Sequence, residues 1–464
     1  MASLTPSLQD LLVSSLMILL VVLLYIAYWR SKYQSLFPVD WPIVGLLPTL
    51  VANLHRLHDK ITEYLAASGH SFTGNGPAAS NMRLFVTCDP DNVRHIFTTN
   101  HDNYPKGHEF AEIFDIMAGA FFTMDGELYR RQRAKTHSIL SDPRMVASMA
   151  SSCADKVRDG LLPLLTSMAS TRTPFELQDL ATRLMFDVTA MPTAQDWTRE
   201  EARRGARGAA RLRLRDDGEG EEARGSAILH VHGRSLLYIN DPDYVGLLHS
   251  ILITYMVAGR DTVGTTLPWF FYNLAMNPRV VSGIREELAH NIATSTCNGD
   301  GVPVMFSPED TKSLVYLHAA LFETLRLYPP GWIERKTVVA DDVMPSGHEV
   351  RAGDAVLISI YSMGRMESLW GEDCRVYRPE RWLYDSRGGR KMRHVPSHKF
   401  LSFNSGPRMC PGKNIAVMQM KIIAAAVVWN FDLEVVEGQA VVPKLSCLLQ
   451  MKNGVMVKVK KRAV

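Results

Sequence analysis

Phe403-Asn404-Ser405-Gly406-Pro407-Arg408-Met409-Cys410-Pro411-Gly412 decides how this chain is read. The run sets one thiol between two glycines, with an arginine two residues before it. Immediately downstream Ile415, Met418 and Ile422 recur at helical spacing, so the thiol stands just ahead of a helix N-terminus. Thiolate is the form of cysteine that ligates metal, and a helix N-terminus lowers thiol pKa and favours negative charge. Gly406 and Gly412 let backbone approach a flat ligand closely, and Arg408 is placed to pair with a carboxylate on it. A single-sulfur ligand to haem iron needs those features, and such ligation pushes electron density toward O–O cleavage. For a cysteine near a glycine taken alone, the competing reading is a buried structural thiol.

The full pattern, Phe-x-x-Gly-x-Arg-x-Cys-x-Gly, resembles the haem-thiolate signature of the cytochrome P-450 monooxygenases, matched at Phe403, Gly406, Arg408, Cys410 and Gly412. The resemblance implies haem as cofactor, its iron axially ligated by Cys410. It further implies O2, an NADPH-dependent reductase as electron donor and a hydrophobic small-molecule substrate. Two other readings remain: a haem-thiolate isomerase or dehydratase that uses no O2, and a catalytically silent chain with a damaged pocket roof.

Composition sets the outer limits. The chain has 464 residues, 46% of them hydrophobic, enough for a large core. Its net charge of +3 gives no general case for nucleic-acid binding, and no nucleic-acid partner is expected. The six cysteines (Cys88, Cys153, Cys297, Cys374, Cys410 and Cys447) form no C-x-x-C pair, which argues against a zinc site or a disulfide framework and for a reducing compartment.

Near the N-terminus, residues 11–29 carry no charge, and a helix of that length nearly crosses a hydrocarbon core of about 30 Å. Tyr25, Tyr28 and Trp29 cluster at its far end, followed at once by Arg30 and Lys32. Interfacial aromatics and the retention of positive charge on the cytoplasmic side predict a single-pass anchor with a lumenal N-terminus and a cytosolic body, in the endoplasmic reticulum membrane. A cleaved signal peptide would want a basic start and a small-residue cleavage site, and both are missing. The domain division is therefore 1–32 as membrane anchor, 33–50 as a stiff proline-rich connector and 51–464 as the haem-thiolate domain.

Most of the body reads as helix, with a minor β portion. Residues 256–277 form a long apolar stretch interrupted by Gly259-Arg260-Asp261-Thr262, with Pro268 set to kink it or free a carbonyl. Val350, Val356, Ile358 and Ile360 suggest strands, with Pro345-Ser346-Gly347 as a turn. Asn453-Gly454 reads as a hairpin turn joining 448–451 to 455–457. The stretch 195–225, with eight arginines set among acidic residues, Ala and Gly, reads as a solvated helix or disordered loop. There the resemblance implies two helices roofing the substrate pocket, so 194–226 is anomalous.

Three further constellations follow the resemblance. Glu323 and Arg326 stand three apart on one helical face, which alone suggests a surface salt bridge. By resemblance they join Arg381 of Pro379-Glu380-Arg381-Trp382 in a buried triad that serves folding and haem retention. Ala258-Gly259-Arg260-Asp261-Thr262 resembles the oxygen-activating motif, with Thr262 as the hydroxyl and Asp261 as proton relay. The alternative for that pair is a threonine bonded to its own i−4 carbonyl and an aspartate paired to a nearby base. Arg133 matches the arginine of a Trp-x-x-x-Arg element that meets a haem propionate, with Tyr129 in the tryptophan's place, and Lys336 (or Arg335) is the other expected propionate partner. Pro411 has no N–H to offer the sulfur, which should lower the iron potential. Phe400–Arg408, Ser359–Met366, Met451–Lys458, Tyr104–Gly107 and Met124–Glu127 look like the plant long-chain fatty-acid ω-hydroxylase and alkane hydroxylase branch, implying an aliphatic substrate.

Overall fold

A computed structural model describes residues 8–33, 40–41, 43–117, 121–189, 242–292, 302–387 and 389–462. Both the 195–225 reading and the anomalous 194–226 segment lie outside the described residues.

The expected mainly helical fold with a minor strand portion is what forms. Pro242–Met276 is one continuous helix of 35 residues. The polar run Gly259–Thr262 does not break it, because its threonine bonds back to the same helix, as do polar residues further along. Thr262 and Thr266 donate to the carbonyls of Ala258 (2.7 Å) and Thr262 (2.8 Å). Asn273 Nδ2 likewise donates to the Trp269 carbonyl at 2.6 Å. Pro268 lies inside this helix and leaves the Gly264 carbonyl without its helical donor. Against it pack Val315–Leu327, Pro278–Ile292 and Lys413–Asn430. Together they bury Trp269, Phe270, Leu317, Leu321, Ile422 and Val427 in one core. Ile415 and Ile422 are buried and Met418 packs on the same core, as their spacing predicts.

A second core lies under a four-stranded sheet ordered Ser71–Asn75, Arg83–Thr87, Ala355–Ser359 and Ile333–Thr337. The central pair is parallel and the outer pairs antiparallel, with Glu334 opposite Ile358 and Lys336 opposite Val356. Side chains alternate along a strand, so Glu334 and Lys336 share one face and Arg335 takes the other. Pro345-Ser346-Gly347 makes the expected turn, with Gly347 at φ +81°, joining Asp342–Val343 to Glu349–Val350. Ile360 opens a short helix, Ile360–Met363, instead of extending a strand.

The hairpin expected at Asn453-Gly454 differs. Gly454 turns the chain at φ +63°, yet Met456–Lys461 pairs with Phe431–Val435 and Phe175–Glu176, not with 448–451. The backbone of 448–451 is already engaged: Leu449 N–H donates to the Pro330 carbonyl and Leu449 C=O accepts from the Trp269 indole. Those groups are lost to a ladder.

Leu8–Tyr33 is one helix of 26 residues, and its described side chains, 12–25, are exposed. Among the residues whose side chains are described, 12–25 of this helix included, no helix is long and apolar enough to cross a membrane. The end of the connector is helical: Leu47–Ala52 has Pro48 in its first turn, where a missing N–H costs nothing.

Candidate active site

Gly406–Gly412 runs directly into the helix Lys413–Asn430. Cys410 N–H donates to the Phe403 carbonyl at 2.7 Å, closing the loop that presents the sulfur. Burial pushes the Cys410 thiol up. Backbone N–H groups of Gly412 and Lys413 donating to the sulfur, and the charges of Arg133 and Lys413, pull the other way. Here desolvation outweighs the helix N-terminus, and a cation held at the sulfur would favour the thiolate. Pro411 contributes no donor, as its chemistry requires.

The two signature glycines have different reasons. Gly406 sits at φ +57°, and a Cβ there would stand 2.1 Å from the Phe97 carbonyl oxygen, so it is demanded by packing against the protein itself. At Gly412 a Cβ would meet only Cys410 Sγ, at 4.0 Å, so there is open space between this glycine and the sulfur. The ring of Phe403 lies 6.0 Å from Phe322 and 6.4 Å from Phe400, with Lys413 Nζ 5.3 Å above it.

Arg408 is 8% exposed, stacks 3.5 Å over the Tyr129 ring, and donates to the Met124 carbonyl (2.8 Å) and to the Asp125 carboxylate. Its Nε has no hydrogen-bond partner. Tyr129 hydroxyl donates to the Pro407 carbonyl at 2.7 Å, so the tyrosine at the tryptophan position fastens the cysteine loop. The charge of Arg133 acts on both Cys410 and Arg408.

Lys336 is fully buried, its Nζ 3.3 Å from Glu334 Oε1 at an angle outside hydrogen-bond geometry, so both atoms lack a hydrogen-bond partner. Arg335, on the opposite face, reaches Glu109 at 3.5 Å and is not part of this group. Lys106 joins it instead: it is 4% exposed, with Nζ 4.2 Å and 3.8 Å from the ring centres of Phe110 and Phe122. Asp125 fixes this lysine by accepting the N–H groups of Lys106 and Gly107, each at 3.0 Å, beside the Arg408 guanidinium. Sequence reasoning missed Lys106 and Asp125 as site residues; a lysine between Pro105 and Gly107 gives no sign of burial. Three buried cations, two of them with orphaned donors, one of these (Arg408) on the cysteine loop, fit a flat macrocycle carrying two carboxylates.

Glu323, Arg326 and Arg381 do meet. Glu323 is fully buried and accepts five donors: Arg326 Nε and Nη2 at 2.8 Å each, and Arg381 Nε, Arg378 N–H and the Trp382 indole at 2.9 Å each. Arg326 also donates to the Cys374 carbonyl (2.6 Å) and Arg381 to the Trp370 and Asp373 carbonyls (3.0 Å each). This clamp joins the helix Val315–Leu327 to residues 370–382. Ser402 Oγ, donating to the Leu325 carbonyl at 2.7 Å, ties the cysteine loop to the same helix. On the long helix, Asp261 Oδ1 lies 3.1 Å from Arg260 Nε, while burial pushes the Asp261 carboxyl up against the opposing pull of Arg260.

Comparison with known proteins places these features in one family. Residues 248–459 match the family model described as Cytochrome P-450. Alkane hydroxylase MAH1 of Arabidopsis thaliana is 33% identical, over 96% of this chain and 98% of its own length. Noroxomaritidine synthase 2 of Narcissus pseudonarcissus is 35% identical, over 94% and 93% respectively. Cytochrome P-450 86B1 of Arabidopsis thaliana is 33% identical, over 98% and 91%. Family members bind haem through a cysteine thiolate to iron. The chain belongs to the cytochrome P-450 family and is a haem-dependent monooxygenase.

Proposed function

We propose that this monooxygenase is held at a membrane by residues 1–32 and hydroxylates an aliphatic chain, a long-chain fatty acid or an alkane. Cys410 is assigned as the residue that would ligate the haem iron, and the observation that carries the assignment is its sulfur: half-buried, bonded by the Gly412 and Lys413 N–H groups, with open space beside it at Gly412. Haem bound there supplies activation of O2 and oxidation of the C–H bond.

The protein supplies positioning, charge and protons. Gly412 and Lys413 hold the sulfur's charge, and the number of such donors tunes it. Lys336, Arg408 and Arg133 take the two haem carboxylates, while Phe403 and Gly406 shape the loop. Glu323, Arg326 and Arg381 keep that loop in register. Thr262 Oγ1 donates its hydrogen bond to the Ala258 carbonyl and retains lone pairs that can accept from a water. Asp261, whose carboxyl holds its proton more readily than an ordinary one, passes it to that water.

Electrons come from an NADPH-dependent reductase. The uncharged stretch 11–29 serves as a single-pass anchor in the endoplasmic reticulum membrane, 33–50 as connector and 51–464 as the cytosolic catalytic domain. An anchored body draws apolar substrate directly from the bilayer. The name of the Arabidopsis alkane hydroxylase supports that substrate class, while the Narcissus synthase, similarly related, acts under a different name.

The test is reconstitution of the full chain with NADPH and reductase in phospholipid vesicles, with palmitate or hexadecane as substrate. Expected are a red-shifted Soret band in the reduced, carbon-monoxide-bound protein, lost in Cys410→Ser, and hydroxylated product with NADPH-dependent O2 uptake. A coloured protein that turns over substrate without O2 would favour an isomerase or dehydratase. A colourless one would end the haem assignment.

A further inference from the structure

Glu334 is the one carboxylate that shares a strand face with the buried Lys336, and it has no obvious place in a site built to receive anions. Its Oε1 and Lys336 Nζ lie 3.3 Å apart, both without a hydrogen-bond partner. Lys106, clamped over Phe110 and Phe122, is the second ammonium it faces. The charges of Glu334, Lys336, Arg408 and Asp125 act on Lys106, those of Glu334, Arg408 and Asp125 on Lys336, and those of Lys336, Arg408, Asp102 and Asp125 on His101. Burial and those cations push His101 down, so it adds no charge near neutrality.

Lys106, Lys336, Arg408 and Arg133 oppose Asp125 and Glu334, a surplus of two positive charges, which is the charge of two ionised porphyrin carboxylates. Two buried ammoniums side by side would otherwise shed a proton, since burial and mutual repulsion both favour the neutral amine. Lys106 is lowered to about 7 as the net result: burial, Lys336 and Arg408 lower it, and Glu334 and Asp125 keep it from falling further. Glu334 itself stays ionised: burial would protonate it, but Lys336 and Lys106 outweigh that push.

We propose that Glu334 is the internal counter-ion of the haem-carboxylate cradle, a positioning residue that keeps Lys106 and Lys336 charged so that both can hold the two carboxylates. The inference rests on the haem reading above and adds to it a residue that repels the ligand directly yet secures it through its partners.

The signs separate this role from a packing role. In Glu334→Gln the lysines lose a proton at lower pH, and haem grip fails as pH rises. At low pH, where both lysines are charged regardless, loss of a negative neighbour leaves grip unchanged or tighter. The experiment is transfer of haem from the full-length holoprotein to excess apomyoglobin across pH 6–9, a window of about three units around the lysine transition. Expected is a crossing of profiles: Glu334→Gln at or below the parent's rate near pH 6, and about tenfold above it near pH 8, one unit of lysine pKa. Glu334→Asp should follow the parent, and at the acid end, where the lysines stay charged, the midpoint potential of Glu334→Gln should shift positive. Parallel profiles for parent and Glu334→Gln overturn the counter-ion role. A parent that takes up no haem overturns the haem reading and this proposal with it.

Discussion

Replacing Glu323 by glutamine removes one charge without changing shape, and the structure sets the size of the effect. The carboxylate accepts five donors, from Arg326, Arg381, Arg378 N–H and the Trp382 indole, in a site with no solvent access. An amide at that point turns an NH2 toward at least one guanidinium, so a donor faces a donor. Arg326, 2% exposed, then keeps its charge with no carboxylate to balance it. Leaving a buried charge unpaired costs about 3–5 kcal/mol, against a total stability of about 5–15 kcal/mol for a typical protein. Glu323→Gln should therefore lose a large part of its stability. Because Ser402 hangs the cysteine loop from the same helix, it should also lose the red-shifted Soret band at denaturant concentrations where the parent keeps it. Glu309→Gln, which breaks an exposed pair with Lys312, is the matched control and should leave the midpoint unmoved. Urea unfolding followed by the Soret band and by far-UV circular dichroism reads both effects. A Glu323→Gln protein within about 1 kcal/mol of the parent, with full haem content, would mean that the clamp contributes no more than an exposed surface pair, and the reasoning fails.

Asp261→Asn should keep haem and substrate affinity while product formation falls by about 10²-fold, the lower range for a lost proton donor. NADPH oxidation that continues without matching product distinguishes this from a folding defect, and full coupling would refute the relay. Pro411→Leu adds an N–H beside the sulfur, so its midpoint potential should rise; spectroelectrochemical titration showing no rise refutes that role. At Asp342 burial pushes the carboxyl up, but bonds from His95, Tyr104, Asn100 and the Val343 N–H outweigh it and bring it to about 2. A depressed folded pKa gives stability that is present above the unfolded value and lost as pH falls through the folded one. Acid unfolding of the parent should thus steepen between about pH 4 and 2, and Asp342→Asn should lack that component.

Much of the site was legible because its chemistry is local. The cysteine loop, its helix and the Gly347 turn depend on residues within a few positions of each other, where spacing and backbone conformation act directly. The triad is legible only by resemblance, since a Glu and Arg three apart on a helix look the same in sequence whether buried or exposed. The 448–451 segment shows the limit: its apolar run suits a hairpin, but the Trp269 indole and Pro330 carbonyl, far away in sequence, claim its backbone. Lys106 and Asp125 were invisible for another reason, since local partners do not announce burial. A lysine is ordinarily a solvated side chain, and nothing nearby announces the two phenyl rings and the guanidinium that enclose this pair.

The geometry of the sulfur follows from where its loop is held, not from the loop itself. Ser402 fixes it to the Leu325 carbonyl, Tyr129 holds the Pro407 carbonyl, and Asp125 with the Met124 carbonyl holds Arg408. These anchors come from two segments, one of them about 280 residues upstream, and each bond acts on a different residue of the loop. Three attachments at separate points fix a rigid body, whereas any two leave a hinge. Asp125 carries a second duty, since the same carboxylate positions Lys106 and Gly107 by their N–H groups. Gly107, at φ +82° with Thr337 filling the space a Cβ would need, keeps that backbone in place. The carboxylate thus couples the placement of the sulfur loop to that of the buried ammonium, so the two halves of the candidate site are set in register by one side chain.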